Sequence, residues 1–197
     1  MKRYTLLFDL GGVIENHDFH GFSKFIEKNY GIDAKLFHKT LLENLRLNDE
    51  GALVDREMVN RINELGLNYN LRTFYADYFK FISLNKPILE YIKNELRNKF
   101  RVCIFSNCRK RHIIRSVKLY HYDKIFDRIF ISQYCKMRKP EPRYYKFVLN
   151  KLKVNPEDCI FIDDKERNMP PARKMGINCI VYTGKLDLLK EQLGKYS

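Results

Sequence analysis

Tyr4-Thr5-Leu6-Leu7-Phe8-Asp9-Leu10-Gly11-Gly12-Val13 is an apolar run of strand length that ends in a carboxylate and a glycine-rich turn. In an open parallel α/β sheet, ligands bind beyond the carboxyl ends of the strands. A carboxylate at such an end is therefore a candidate nucleophile or metal ligand. Aspartate also favours turns in general, so Asp9 needs support from the rest of the chain.

Apolar segments alternate with amphipathic segments from Pro87 onward. The pattern predicts strands at 4–9, 101–105, 128–131, 159–163 and 179–182. It predicts helices at 87–98, 109–119, 141–152, 169–175 and 186–193. Strands that are apolar throughout and alternate with helices indicate an α/β fold, with a parallel sheet covered on both faces by helices.

The segment between the first strand and Pro87 has a helical pattern instead. Apolar residues recur at helical spacing from Phe19 to about Leu84, and Gly31, Gly51 and Gly66 predict turns between helices. We therefore expect residues 1–15 and 86–197 to form the core and residues 16–85 to form a small helical domain inserted after the first strand. Its aromatic stretch 74–79 either lines the crevice of the core or packs internally.

Polar residues follow three of the predicted strands. Asp9 is the last residue of the first, Ser106-Asn107 follows the second, and Asp163-Asp164 lies at the end of the fourth. These side chains converge on one crevice if the strands are neighbours. In isolation, Ser106-Asn107 also suits a helix N-cap, and Lys139-Pro140 gains its weight only from lying between these motifs.

The order and spacing of these motifs resemble the haloacid dehalogenase-like (HAD) hydrolase superfamily over nearly the whole chain. The matching segments are Phe8-Asp9-Leu10-Gly11-Gly12-Val13, Phe105-Ser106-Asn107, Met137-Arg138-Lys139-Pro140-Glu141-Pro142, and Phe161-Ile162-Asp163-Asp164 with Asn168. The chain is most similar to the subgroup with a helical C1-type cap. That subgroup includes sugar-phosphate phosphatases with the Phe-Asp-Leu-Gly-(Gly/Asn)-Val motif and the amino-terminal domain of bifunctional epoxide hydrolases. The resemblance implies a Rossmann-like core with a cap.

The resemblance also implies a Mg²⁺-dependent phosphomonoesterase acting on a small phosphorylated metabolite, such as a sugar phosphate. Asp9 would form an aspartyl-phosphate, and Lys139 would neutralise charge on the phosphoryl group. Ser106 and the Asn107 backbone N–H would bind phosphate oxygens. Mg²⁺ would be held by Asp9, the Gly11 carbonyl and Asp164. Asp163 and Asn168 would support these ligands through hydrogen bonds, although Asn168 also suits a helix cap.

Gly11 departs from the family pattern, because phosphatases of this superfamily usually carry a general acid–base Asp there. Such a group is typically worth ~100 to 10,000-fold in rate. Three explanations stay open. The substrate has an acidic leaving oxygen, such as that of a sugar 1-phosphate, or Glu15, His17 or Asp18 supplies the proton, although these residues otherwise begin the cap as exposed polar groups. Alternatively, the chain is a catalytically weak module that binds phosphate or nucleic acid. Dehalogenase chemistry uses the same Asp without a metal.

The net charge of the chain bears on the partners that it can bind. The chain has 197 residues and a formal net charge of +13, with its basic residues scattered. A solvated basic surface or attraction of anionic substrates explains this charge, and nucleic acid is the less expected partner. The densest cluster, Arg109-Lys110-Arg111-His112, directly follows Asn107 and Cys108.

The remaining features favour a cytoplasmic protein with no membrane partner. No apolar run approaches the ~20 residues of a membrane span, and Asp9 interrupts what would be a signal peptide's apolar region. Five cysteines without a Cys-x-x-Cys pair read as reduced core residues, with no metal cluster. The sequence leaves the oligomeric state and the substrate open.

Overall fold

The computed structural model of the chain describes residues 4–196, which form two compact units. The first unit contains the residues up to Glu15 and those from Leu84 onward, and the second is Asn16–Ser83. The strands are β1 (Thr5–Phe8), β2 (Glu15–His17), β3 (Ile82–Leu84), β4 (Arg101–Ser106), β5 (Arg128–Ile131), β6 (Cys159–Asp163) and β7 (Asn178–Val181).

The helices follow the same chain order. They are α1 (Phe19–Tyr30), α2 (Ala34–Asp49), α3 (Asp55–Asn63), α4 (Leu71–Tyr78), α5 (Lys86–Tyr91), α6 (Arg97–Lys99), α7 (Lys110–Tyr120), α8 (Tyr122–Ile125), α9 (Ser132–Cys135), α10 (Pro142–Leu152), α11 (Met169–Lys174) and α12 (Leu186–Gly194). A π-helical turn, Ile92–Leu96, joins α5 to α6. Short 3-10 turns cover Phe79–Phe81, Pro156–Asp158 and Glu166–Asn168.

A five-stranded sheet in the order β5-β4-β1-β6-β7 forms the centre of the first unit. All of its neighbouring strands pair in parallel. This arrangement confirms the predicted α/β class with a parallel sheet. It places β1 between β4 and β6, so the residues that follow these three strands emerge at one edge.

Alternate residues of the central strands enter different hydrophobic clusters. Leu6 and Phe8 of β1 pack with α5, α7 and α12 residues in one cluster. Leu7 packs in a second cluster with residues of α10 and α11. Successive side chains of a strand point to opposite faces, so a strand covered on both sides must be apolar throughout. This requirement explains the unbroken apolar runs in the sequence.

The second unit has its own aromatic core. Phe74, Tyr75 and Tyr78 of α4 are buried in it, together with Phe22 of α1 and Phe37 of α2. For these three α4 residues the structure therefore favours the packing alternative over a crevice-lining role. Asp33 caps α2 by accepting a hydrogen bond from the Leu36 backbone N–H at 2.7 Å.

Two further properties concern the whole described chain. All five cysteines are free thiols, and Cys103, Cys108 and Cys159 are buried. Across residues 4–196, none of the helices has the length and apolarity that a membrane span requires.

Candidate active site

The parallel register brings three strand ends level with one another. Phe8 pairs with Ile104 of β4 and with Ile162 of β6, which puts the next residue, Asp9, beside Phe105 and Asp163. The backbone N–H of Asp9 continues the ladder by donating to the Ile162 carbonyl at 2.8 Å. Asp9, Ser106 and Asp163 thus meet at the carboxyl edge of the sheet.

Lys139 is a buried cation at the centre of this group, with none of its side chain exposed. Its Nζ lies 2.6 Å from Asp163 Oδ2, 3.0 Å from Asp9 Oδ1 and 2.9 Å from the Phe105 carbonyl oxygen. Three partners match the three donors of an ammonium group. Burial opposes the charge of Lys139, but Asp9 and Asp163 outweigh it and raise its pKa above the ordinary value.

Asp9 is ionised in this environment although it is 4% exposed. Burial by itself raises its pKa, but attraction by Lys139 and Lys165 and a hydrogen bond from Ser106 together lower the pKa below the ordinary value. Its Oδ1 also accepts a hydrogen bond from the Leu10 backbone N–H at 2.7 Å. The carboxylate is therefore fixed in orientation and charged near neutral pH.

Both oxygens of Asp163 are used in hydrogen bonds. Oδ1 accepts from the Lys165 backbone N–H at 2.8 Å, and Oδ2 accepts from Lys139. Asn168 Nδ2 lies 3.0 Å from Oδ1 and 2.8 Å from Oδ2. The Asn168 carbonyl in turn accepts from the Tyr145 hydroxyl at 2.6 Å. Asn168 thus binds Asp163 and makes no side-chain cap to α11.

Asp164 differs from Asp163 because one of its oxygens is buried without any hydrogen-bond partner. Burial is the main reason that the pKa of Asp164 is raised; Lys165 lowers it, and Asp9 and Asp163 add to the increase. A buried carboxylate oxygen that accepts no hydrogen bond is costly unless a cation satisfies it.

The donor set around Asp164 fits a hard divalent cation. Asp9, Asp163 and Asp164 each offer a carboxylate oxygen, and these oxygens lie within 4.8 Å of one another. Mg²⁺ prefers oxygen ligands of this type. Because Asp163 is occupied by its hydrogen bonds, Asp9 and Asp164 are the side chains that would hold the ion, and Gly11 follows Asp9 by two residues.

Gly12 is required for the position of Asp164. It has a φ of +83°, and a Cβ built at this residue would lie 2.4 Å from Asp164 Cγ. Only glycine combines this backbone conformation with so close an approach. The second glycine of the opening motif therefore gives Asp164 its space.

Ser106 and Asn107 follow one another at the end of β4, and both contact residues of the site. Ser106 is 2% exposed and hydrogen-bonds to Asp9. The Asn107 side chain donates to the Lys139 carbonyl at 2.9 Å and accepts from the Lys139 N–H at 2.8 Å. This reciprocal pair fixes the backbone of the segment that carries Lys139.

Three features of the site escaped the sequence analysis. The rings of Phe105 and Phe161 lie on either strand beside β1, and each centroid is 5.2 Å from Lys139 Nζ, within the range of a cation–π contact. Tyr145 holds Asn168 from α10. Lys165, the residue directly after Asp164, places its Nζ 3.7 Å from Asp164 Oδ1. Only Lys165 had a sequence signal, namely its position next to the acidic pair.

The expectation that Glu15 begins the cap as an exposed group is wrong. Glu15 is fully buried, its Oε2 lies 2.6 Å from His112 Nε2, and its Oε1 accepts from the Tyr122 hydroxyl at 2.9 Å. Its carbonyl accepts from the Gly12 N–H at 2.7 Å. The Glu15 backbone carbonyl therefore stabilises the turn after Asp9, and its buried carboxylate, bound by His112 and Tyr122, is not an exposed proton source.

The basic cluster after Asn107 is divided between the interior and the surface. Arg109 and His112 are buried, whereas Lys110 and Arg111 are exposed. His112 belongs to the Glu15 cluster, so half of this run serves packing rather than long-range attraction of anions.

Relatives identified by sequence have names that indicate several different activities. The rat (Rattus norvegicus) bifunctional epoxide hydrolase 2 is 31% identical over 129 residues, which cover 63% of this chain and 23% of that protein. The chain thus spans about a quarter of that relative's length. Pyrophosphatase PpaX from Halalkalibacterium halodurans is 23% identical over 92% of this chain and 84% of its own length.

Among solved structures, a HAD family enzyme from Bacteroides thetaiotaomicron superposes with a TM-score of 0.81 at 25% identity, covering 96% of this chain and 99% of that chain. A structure of the same enzyme in complex with magnesium and inorganic phosphate has a TM-score of 0.75 at 26% identity, covering 93% and 96% of the two chains. The model of the haloacid dehalogenase-like hydrolase family matches residues 6–182. This match covers the parallel sheet except Thr5, and every residue of the site described above, and the chain therefore belongs to the haloacid dehalogenase-like hydrolase family.

Proposed function

We propose that the chain is a Mg²⁺-dependent phosphomonoesterase that hydrolyses a small phosphorylated metabolite, such as a sugar phosphate, through an aspartyl-phosphate on Asp9. One observation carries the proposal: an ionised Asp9 lies 3.0 Å from the buried ammonium of Lys139 and shares a carboxylate cluster with Asp164. Phosphoryl transfer requires a positioned nucleophile and fixed positive charge around the phosphate, and this arrangement offers both.

Each side chain has a defined task in this proposal. Asp9 attacks phosphorus, and Lys139 neutralises charge on the equatorial oxygens. The Ser106 hydroxyl and the Asn107 backbone N–H donate hydrogen bonds to the phosphate. Asp9, the Gly11 carbonyl and Asp164 would hold Mg²⁺, which would neutralise charge and orient the phosphate. Asp163 and Asn168 keep Lys139 in place through the hydrogen bonds described above.

The relatives support phosphate chemistry, but their names give different substrates. A related enzyme has been solved with magnesium and inorganic phosphate, and one relative is a pyrophosphatase. Others are named as a dehalogenase and an epoxide hydrolase. We further propose that residues 16–85 act as the cap that selects the substrate.

The test is release of inorganic phosphate from a panel of phosphorylated metabolites, including sugar 1-phosphates and mononucleotides, with and without Mg²⁺. We expect turnover that requires Mg²⁺ and that is lost in Asp9→Asn, which keeps the size of the side chain but removes the nucleophile. Asp123→Asn is the matched control, because Asp123 is exposed on α8. Turnover that persists in Asp9→Asn, or that needs no Mg²⁺, contradicts the proposal.

Gly11 favours one alternative, a phosphate- or nucleic-acid-binding module with little turnover, because the usual acid–base carboxylate is missing at that position. In this case no substrate of the panel would be hydrolysed. RNA or DNA would then bind with an affinity that falls steeply with salt, as phosphate contacts require.

A further inference from the structure

Glu15 has a fully buried carboxylate, and both of its oxygens are held by side chains of the first unit. Oε2 lies 2.6 Å from Nε2 of His112, which is 1% exposed and belongs to the first turn of α7. Oε1 accepts a hydrogen bond at 2.9 Å from the hydroxyl of Tyr122, a fully buried residue at the start of α8. Since a carboxylate oxygen only accepts hydrogen bonds, His112 donates from Nε2. Two different helices therefore fix the Glu15 side chain.

The backbone of Glu15 is bonded to the turn that follows Asp9. Its N–H donates to the Leu10 carbonyl at 2.8 Å, and its carbonyl accepts from the Gly12 N–H at 2.7 Å. These two bonds pair Glu15 with Gly11 as an isolated parallel bridge. Two consecutive glycines impose little conformation of their own. The shape of the turn therefore depends on the residue that closes it.

Both carboxylates that would hold Mg²⁺ contact this turn. The Leu10 N–H donates to Asp9 Oδ1 at 2.7 Å, so the position of Leu10 affects the orientation of Asp9. Gly12 lies so close to Asp164 that a Cβ on Gly12 would be 2.4 Å from Asp164 Cγ. A shift of the turn would therefore move one carboxylate relative to the other. Mg²⁺ tolerates such a shift poorly, because it requires near-octahedral oxygen ligands at about 2.0–2.1 Å.

Stability of the fold explains the carboxylate at position 15 only in part. A buried ion pair can often be replaced by apolar side chains without loss of stability, so a core position does not by itself require a carboxylate. Hydrophobic contacts are not directional, whereas hydrogen bonds constrain both distance and angle. The bonds from His112 and Tyr122 thus give Glu15 a defined position that packing alone does not give.

We propose that Glu15 is a positioning residue for the Mg²⁺ site. Its carboxylate is held by His112 and Tyr122, and its backbone holds the turn. The turn then orients Asp9 and leaves the space that Asp164 occupies. This role rests on the metal site of the proposed function, because the affinity for Mg²⁺ is the quantity that the three residues set. None of the three side chains needs to contact the ion or the substrate.

The experiment measures the Mg²⁺ dissociation constant of the folded, metal-free chain by isothermal titration calorimetry. Loss of a group that holds metal ligands in place typically weakens metal binding by about 10–100-fold, so we expect His112→Leu to raise the dissociation constant by at least about tenfold. His112→Gln should restore most of the affinity, because its amide can donate near the position of Nε2. Tyr122→Phe removes only the hydroxyl and should have a smaller effect in the same direction.

Leu189→Ala is the control for lost stability. Leu189 is 1% exposed on α12 and belongs to the same hydrophobic cluster as Tyr122, but its apolar side chain makes no hydrogen bond to the turn. Its truncation leaves a cavity and destabilises the core. At a temperature where circular dichroism shows every variant folded, Leu189→Ala should bind Mg²⁺ as the wild type does. Should His112→Leu not fold, the comparison of Tyr122→Phe with Leu189→Ala decides the result.

Hydrolysis of p-nitrophenyl phosphate gives a second measurement. In His112→Leu, the Mg²⁺ concentration that gives half of the maximal rate should rise together with the dissociation constant. The value of kcat at saturating Mg²⁺ should change less, because the ion restores the position of its ligands once it is bound.

The possible outcomes distinguish the role of Glu15 from the proposed function. A wild-type chain that binds Mg²⁺, with the same affinity in His112→Leu and Tyr122→Phe, leaves the proposed function intact and overturns the positioning role. An equal loss of affinity in Leu189→Ala also overturns it, because lost stability then explains the effect. No binding of Mg²⁺ by the wild type contradicts both the proposed metal site and the positioning role.

Discussion

At the scale of single residues, Lys139 determines the charge state of the site. Its ammonium lies between Asp9 and Asp163 with no exposed surface. A buried carboxylate without a cation loses hydration that nothing replaces. The same residue therefore links the stability of the core to the ionised state of Asp9.

Lys139→Met should destabilise the chain by about 3–5 kcal/mol at pH 7.5, as expected when one partner of a buried ion pair is removed. Two carboxylates then remain buried with their pKa values raised by burial. The folded state binds more protons than the unfolded state, so the stability of the variant should rise as pH falls from 8 toward about 4, where unfolded carboxyls titrate. Denaturant unfolding across this pH range measures how the free energy of unfolding changes with pH.

In the wild-type chain, the contribution of Asp9 to the free energy of unfolding depends on pH in the opposite direction. Its folded pKa is lowered, so its stabilising effect is present above the unfolded value of about 3.9 and is lost as pH falls through the folded pKa. Lys146→Met, on the exposed side of α10, is the control and should follow the wild-type pH profile. A Lys139→Met variant whose stability fell with pH in parallel with wild type would contradict this account.

At the scale of secondary structure, most elements of the first unit follow from local patterns. The strands 101–105, 128–131 and 159–163 were predicted, and the structure has them at Arg101–Ser106, Arg128–Ile131 and Cys159–Asp163. The predicted helix 87–98 is observed as α5, a π-helical turn and α6. The short helices α8 and α9 were not predicted, because four residues contain too little of a helical repeat. Strands β2 and β3, three residues each, escaped for the same reason.

Three of the four helices of the second unit, α1, α2 and α4, begin at side-chain caps, which allows a prediction that does not involve the site. Asp33→Ala should lower the free energy of unfolding by about 1 kcal/mol, because the Leu36 N–H at the start of α2 loses its partner. Glu43→Ala, at an exposed position within α2, should change it by less than about 0.5 kcal/mol. Urea unfolding followed by circular dichroism measures both. Equal effects of the two substitutions would show that the cap contributes nothing.

At the scale of the whole molecule, the carboxylates at the sheet edge connect ligand binding to global stability. A ligand that binds only the folded chain stabilises it by about 2.7 kcal/mol at 100 times its Kd. We expect Mg²⁺ to raise the midpoint of thermal unfolding, and chelation of the ion to reverse the effect.

Gly12→Ala should remove most of this Mg²⁺-dependent stabilisation, because the new Cβ would displace Asp164. Gly184→Ala is the matched control, since Gly184 has the same φ of +83° but no atom within 4 Å of a Cβ. Both substitutions introduce backbone strain at a positive φ, and only Gly12→Ala should lose the stabilisation by Mg²⁺. An unchanged response in Gly12→Ala would mean that Asp164 does not hold the ion.

The sequence by itself determined the fold class, because apolar runs that alternate with amphipathic segments can be buried only in a parallel sheet covered on both faces. It also indicated which polar residues follow the strands. Strand order and register were decided in three dimensions, and they bring Asp9 level with Asp163 and within 3.0 Å of Lys139, 130 positions along the chain (139 − 9). Residues distant in sequence also decide three further features. They are the burial of Glu15, the small space between Gly12 and Asp164, and the exposure of Lys165. A local sequence pattern indicates which residues of an element are buried. The residues that they contact are determined by how distant segments pack together.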